Sequence, residues 1–236
     1  MLASRNRVLV AALAAVVLLA PVAGCGASKK HPAATTDPSA FIERVTDAMA
    51  AKGTAHLDLE LGSTIAATAD VNYAESGTEM VMTMDMGAQK VQVVLAGGAM
   101  YLQQTKGSKY LKIDKSDPAL GTLLSQVSSI GPRASLEGIK AGLTKVVDKG
   151  EETVDGERLT HYVLTADSAK VKSNFGALGQ NVKLPKKISY DVYVDSGFLL
   201  RELRVTISGQ KLVMKASKWG EAVTISVPPA SQVMTR

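Results

Sequence analysis

Apolar residues recur along this chain at two spacings, and the switches between them mark its elements. Asp37-Pro38 opens a stretch in which Phe41, Ile42, Val45 and Met49 share one helical face, and Gly53 ends it. Asp suits a helix N-cap, Pro the first helical position and Gly the left-handed terminus, so one amphipathic helix is predicted. From residue 54 to about 114 the spacing becomes two. Ala55, Leu57, Leu59 and Leu61 alternate with His56, Asp58 and Glu60. Met80, Met82, Met84 and Met86 alternate with Val81, Thr83 and Asp85, and Val91, Val93 and Leu95 with Gln92 and Val94. Residues 99–102 and 109–113 continue the series. Junctions at Gly77, Gly87, Gly97-Gly98 and Gly107 are short enough for hairpins. The prediction is an antiparallel meander, apolar on one face and polar on the other.

Asp117-Pro118 is a second helix start, and Leu120, Leu123, Leu124, Val127 and Ile130 form one stripe before Gly131-Pro132 breaks it. A further short helix is expected over residues 135–143, weakened by Gly138 and Gly142. Strands return over 145–154 and 159–164 around an Asp155-Gly156 turn, and a loose helix fits 167–178. Ile188, Tyr190, Val192 and Val194 alternate with polar partners before Asp195-Ser196-Gly197 turns the chain into 199–208. Strands around 212–217 and 223–227 complete the pattern. About ten or eleven strands with three or four helices predict an α+β fold, built on a single large curved antiparallel sheet with helices on one face.

The apolar fraction of 46% is enough for a substantial core, but aromatics make up only 4%, so aliphatic side chains and nine Met must build it. The net charge is +5, and two of the positive charges, Arg5 and Arg7, lie at the extreme N-terminus. Elsewhere Lys and acidic residues are interspersed. That distribution argues against nucleic-acid binding.

Residues 8–20 are all apolar and follow those two arginines. The run is short of the roughly 20 residues a membrane-spanning helix needs, and it fits the h-region of a signal peptide. Val22-Ala23-Gly24-Cys25 closes it and resembles a bacterial lipobox, with Val in place of the commoner Leu. That resemblance implies acylation of the Cys25 thiol and removal of residues 1–24. It also explains a lone cysteine in an exported chain. Residues 25–37 are rich in Gly, Ser, Lys, Pro and Thr and read as a flexible tether. The folded domain is expected over 38–236. The expected location is the extracytoplasmic face of the cell membrane, with a lipid anchor.

Three further segments carry a more specific resemblance. Val154-Asp155-Gly156 with the run Thr160-His161-Tyr162-Val163-Leu164-Thr165 is similar to a segment of the actinobacterial LppX/LprA/LprF/LprG-type lipoproteins. Tyr190-Asp191-Val192-Tyr193-Val194-Asp195 and Gly197-Phe198-Leu199-Leu200-Arg201 resemble their "vdvwvD" hairpin, with Tyr193 where the family often has Trp. Trp219-Gly220-Glu221-Ala222-Val223 and the run to Pro229 resemble their closing motif. The resemblance implies a half-open β-barrel of LolA-like architecture, with helices on its concave face around an apolar cavity. It further implies a domain that binds lipid or acylated glycolipid and helps move it across the envelope.

The residues allow two readings of their own. Met is flexible and polarisable, so the Met80, Met82, Met84 and Met86 stripe, with Val91 and Val93, suits an adaptable wall for acyl chains. The same stripe also serves as gap-filling in an ordinary core. Leu120, Leu123, Leu124 and Val127 either line the opposite wall or pack flat on the sheet. The alternative function is a non-carrier envelope module with a filled core, accessory to a transporter or sensor. No catalytic motif, dinucleotide fingerprint or metal-ligand spacing is present in the sequence. The expectation is therefore a non-enzyme with no cofactor, no metal and no catalytic residues.

Overall fold

The computed structural model describes residues 35–63, 65–74, 77–85, 87, 89–114, 132–171 and 184–234. Helix α1 (Pro38–Lys52) starts as its sequence dictates: the Asp37 carboxylate accepts from the Ala40 amide at 2.8 Å. Gly53, at φ 74°, donates its N–H to the Met49 carbonyl and stops the helix. Six strands follow: β1 (Thr54–Leu61), β2 (Ile65–Ala74), β3 (Gly77–Asp85), β4 (Lys90–Ala96), β5 (Ala99–Gln103) and β6 (Tyr110–Asp114). After α2 (Pro132–Lys140) come β7 (Leu143–Val154) and β8 (Glu157–Asp167), then the one-turn helix α3 (Ser168–Val171). The strands β9 (Lys187–Val194), β10 (Leu200–Ile207), β11 (Gln210–Ser217) and β12 (Val233–Met234) complete the chain.

All twelve strands form one open sheet in the order β12-β6-β5-β4-β3-β2-β1-β11-β10-β9-β8-β7. Two meanders, β1–β6 and β7–β11, are joined by the antiparallel β1–β11 pair, where Leu57 faces Ala216 and Leu59 faces Met214. Only β12 is parallel to its neighbour, β6. At the opposite edge, β7 presents Lys145, Asp148, Lys149, Glu151 and Glu152, and its register slips at Leu143/Lys145 and Asp148/Gly150. Charges and bulges on an edge strand discourage pairing with another chain.

Alternation sends apolar side chains to one face, called the inner face here. Over β7–β11 that face joins the helices in one cluster. Phe41, Ile42, Val45 and Met49 of α1, Leu136 and Ile139 of α2, and Val171 of α3 meet Tyr162, Leu164, Ile188, Tyr190, Val192, Leu203 and Val205. Gly142 shows how tightly the α3 end sits: a Cβ there would come within 2.6 Å of Val171 Cγ1.

Several sequence expectations change in detail. Strand β2 was absent from the predicted pattern, because Ala66 and Ala67 give no contrast between its faces. The strand expected over 223–227 does not form: residues 221–229 have no regular secondary structure. On the outer face Ile225 of that segment, together with Val233, packs on Val94, Ala96, Ala99, Tyr101 and Tyr110. The segment's alternation is that of a strap with one apolar side, and pairing resumes only at β12. Of the loose helix expected over 167–178, the described part is the turn Ser168–Val171.

Candidate functional site

The inner face of β1–β6 is paved from two kinds of residue. Met80, Met82 and Met84 of β3 lie opposite Leu95, Val93 and Val91 of β4 in register. On their other side they face Val71, Ala69 and Ala67 of β2. Ala55 of β1 and Ala216 of β11 extend this lane of small side chains. Long, flexible thioethers thus stand beside positions where the side chain ends at Cβ. Such a surface can repack around irregular apolar shapes because Met changes rotamer cheaply.

Five of the sequence-predicted cavity residues come together here. Met80, Met82, Val91 and Val93 are buried in one cluster, and the partly buried Met84 packs against it. The remaining five, Met86, Leu120, Leu123, Leu124 and Val127, lie outside the described residues, as does Cys25. The cavity candidates read from the sequence did not include the alanines, Val71, Leu57, Leu95, Met100 and Ile113, which belong to the same cluster. Trp219 borders both inner-face clusters, stacks on Tyr73 with ring centroids 6.3 Å apart, and donates from Nε1 to the Leu200 carbonyl at 2.9 Å. An apolar ring with one polar tip suits this seam between the two halves of the sheet.

The outer face carries charge instead. His56 Nδ1 lies 2.7 Å from Asp70 across the β1–β2 pair. His161 is more deeply set: Nδ1 is 2.7 Å from Glu152 and Nε2 is 2.8 Å from Asp191, with the ring stacked 4.5 Å from Tyr193. Arg204 lies over the other part of this array, 4.7 Å from the Tyr193 ring and paired with the buried Glu202. Burial is the main cause that pushes the Tyr193 phenol above its ordinary range. Chemically this array is a cross-strand brace. Both imidazole nitrogens lie within hydrogen-bond distance of carboxylates on the neighbouring strands. Among the described residues no group of His, Cys, Asp and Glu is arranged to hold a metal ion.

A recess of about 430 Å³ opens at one end of the sheet, lined by Glu60, Gly62, Ser63, Ile65, Ala66, Asp85 and Gly87. Glu60, Ala66 and Asp85 are opposite one another in register on the outer face. Two carboxylates make that recess a poor host for hydrocarbon.

The sheet order and the apolar inner face set the terms for comparison with known proteins. The sequence model of the LppX_LprAFG lipoproteins matches residues 37–225. The chain belongs to this family. Among solved structures, the LppX_LprAFG chain is similar to LprF from Mycobacterium bovis at 16% identity and a TM-score of 0.58, covering 83% of this chain and 99% of that one. It is also similar to the Mycobacterium tuberculosis lipoprotein LppX at 17% identity and a TM-score of 0.56, covering 80% and 100%. Identities this low show a shared fold. Comparison with curated protein sequences gives no match. Among the described residues no helix of this LppX_LprAFG lipoprotein is long and apolar enough to cross a membrane.

Proposed function

We propose that this LppX_LprAFG lipoprotein is a membrane-anchored carrier that shelters the acyl tails of a lipid or glycolipid between the inner face of its sheet and the helices. Acylated Cys25 holds it to the extracytoplasmic face of the cell membrane, the leader 1–24 is removed, residues 25–37 act as a tether, and the carrier domain is 38–236. The observation that carries this reading is the Met80–Met82–Met84 row flanked by the Ala67–Ala69 lane, a flexible apolar surface on an open sheet. The domain works by binding and release, with no catalytic residue, cofactor or metal, and it does not act on nucleic acid.

One observation favours the second reading, an envelope accessory module with a filled core. Met80, Met82 and Val93 are each only 2% exposed. A carrier reconciles this burial with function if its walls close on themselves when empty and open when loaded. Transfer of a fluorescent phospholipid between donor and acceptor vesicles separates the two. A carrier raises the rate above the spontaneous one in proportion to protein concentration. A filled module leaves that rate unchanged.

A further inference from the structure

Polar groups inside the helix-covered half of the sheet mostly have partners. Thr46 Oγ1 donates within α1, 2.9 Å from the Ile42 carbonyl and 3.0 Å from that of Glu43. The Tyr162 hydroxyl is tied to the Thr35 backbone and the Asp148 side chain. Tyr190 differs. Its residue is 4% exposed, and its hydroxyl has no hydrogen-bond partner among the described residues. It stands on the inner face of β9, opposite Leu164 of β8 and Val205 of β10, with Ile188 and Val192 on either side along its own strand. The surrounding cluster also takes in Leu136, Ile139 and Val171 from the helices.

A phenylalanine would fill this position without stranding a hydroxyl, and an unmet buried donor lowers stability. Burial also pushes the Tyr190 phenol far above its ordinary pKa. The group therefore keeps its proton at neutral pH and remains a donor. A buried donor with no partner among the described residues, set in a largely apolar layer, suits an apolar guest with an isolated oxygen acceptor partway along it.

We propose that Tyr190 is a polar anchor at the helix-covered end of the inner face, five strands from the Met row, donating its phenolic O–H to an ester carbonyl where an acyl chain joins the lipid's head. The anchor rests on the carrier reading above and adds the chemistry that would fix the depth and orientation of the ligand. Apolar walls accept any tail; one directional hydrogen bond selects ester-linked lipids and sets how far they enter.

The test uses the purified full chain and two phospholipids that differ only in linkage, a diacyl phosphatidylcholine and its dialkyl ether analogue. The wild type is expected to prefer the ester lipid by about two- to tenfold, the range of one net hydrogen bond. In Tyr190→Phe that preference collapses while affinity for the ether lipid is unchanged. The lipid-free variant is expected to melt at or above the wild-type temperature, since it loses an unmet hydroxyl. The anchor is overturned if the ester preference survives in Tyr190→Phe. It is equally overturned if the lipid-free variant melts lower, because the hydroxyl then has a partner inside the protein. Wild type that binds both lipids equally removes the anchor alone, whereas wild type that binds neither removes the carrier reading and the anchor with it.

Discussion

Replacing Phe41 with alanine is expected to destabilise the domain by about 3–5 kcal/mol, the range for deleting a fully buried aromatic side chain. Phe41 is entirely buried on α1, with its ring centroid 4.7 Å from that of Tyr162 on β8 and 6.3 Å from that of Phe198 in the β9–β10 turn. Arg44, one turn further along the same helix, lies 3.8 Å over the Phe198 ring. The three rings thus connect the first helix to two parts of the sheet that are far apart in sequence. Loss of the benzyl group removes its transfer free energy and leaves a void that the short α1 can only partly collapse into. Urea denaturation followed by far-ultraviolet circular dichroism measures the effect. A loss below about 0.5 kcal/mol, the scale of an ordinary surface change, would show that α1 is not fastened to the sheet through this residue.

The second large effect concerns the terminus. Cys25→Ser is expected to abolish acylation completely. The thiolate is the nucleophile in forming the thioether to lipid, and a serine hydroxyl is a far weaker one. With one cysteine in the chain, no second thiol can substitute. Metabolic labelling with radioactive palmitate, read together with the intact mass, reports the outcome. The variant should carry no label and no acyl mass. Label retained on Cys25→Ser would place the anchor elsewhere or remove it from the account altogether.

How much of this was legible in the sequence depended on whether the deciding physics was local. Helix α1 could be read from Asp37-Pro38 and Gly53, because capping and backbone preference act within a turn. The strands of β3, β4 and β9 could be read because burial of one face writes a period of two into the side chains. Strand β2 could not, since Ala67 and Ala69 are small for the sake of the neighbouring Met row, and smallness erases hydrophobic contrast. Residues 223–227 alternate as a strand does, yet their apolar side meets the outer face of β4–β6 without a ladder. Alternation reports one-sided burial, and pairing is a separate fact. On the site, sequence singled out Met80, Met82, Met84, Val91 and Val93, which do share one patch. It gave no sign of Tyr190, because a missing hydrogen-bond partner is a property of the assembled core. Nor did it reveal that His161 lies between Glu152 and Asp191, groups that come from three different strands.

Native mass spectrometry of the leaderless chain, residues 26–236, purified from bacterial cells without detergent and then incubated with phospholipid vesicles, tests lipid sheltering at its source. The expected spectrum shows the protein with discrete added masses that collisional activation strips off as intact lipids. A spectrum of bare protein alone, both as purified and after the vesicles, would contradict it.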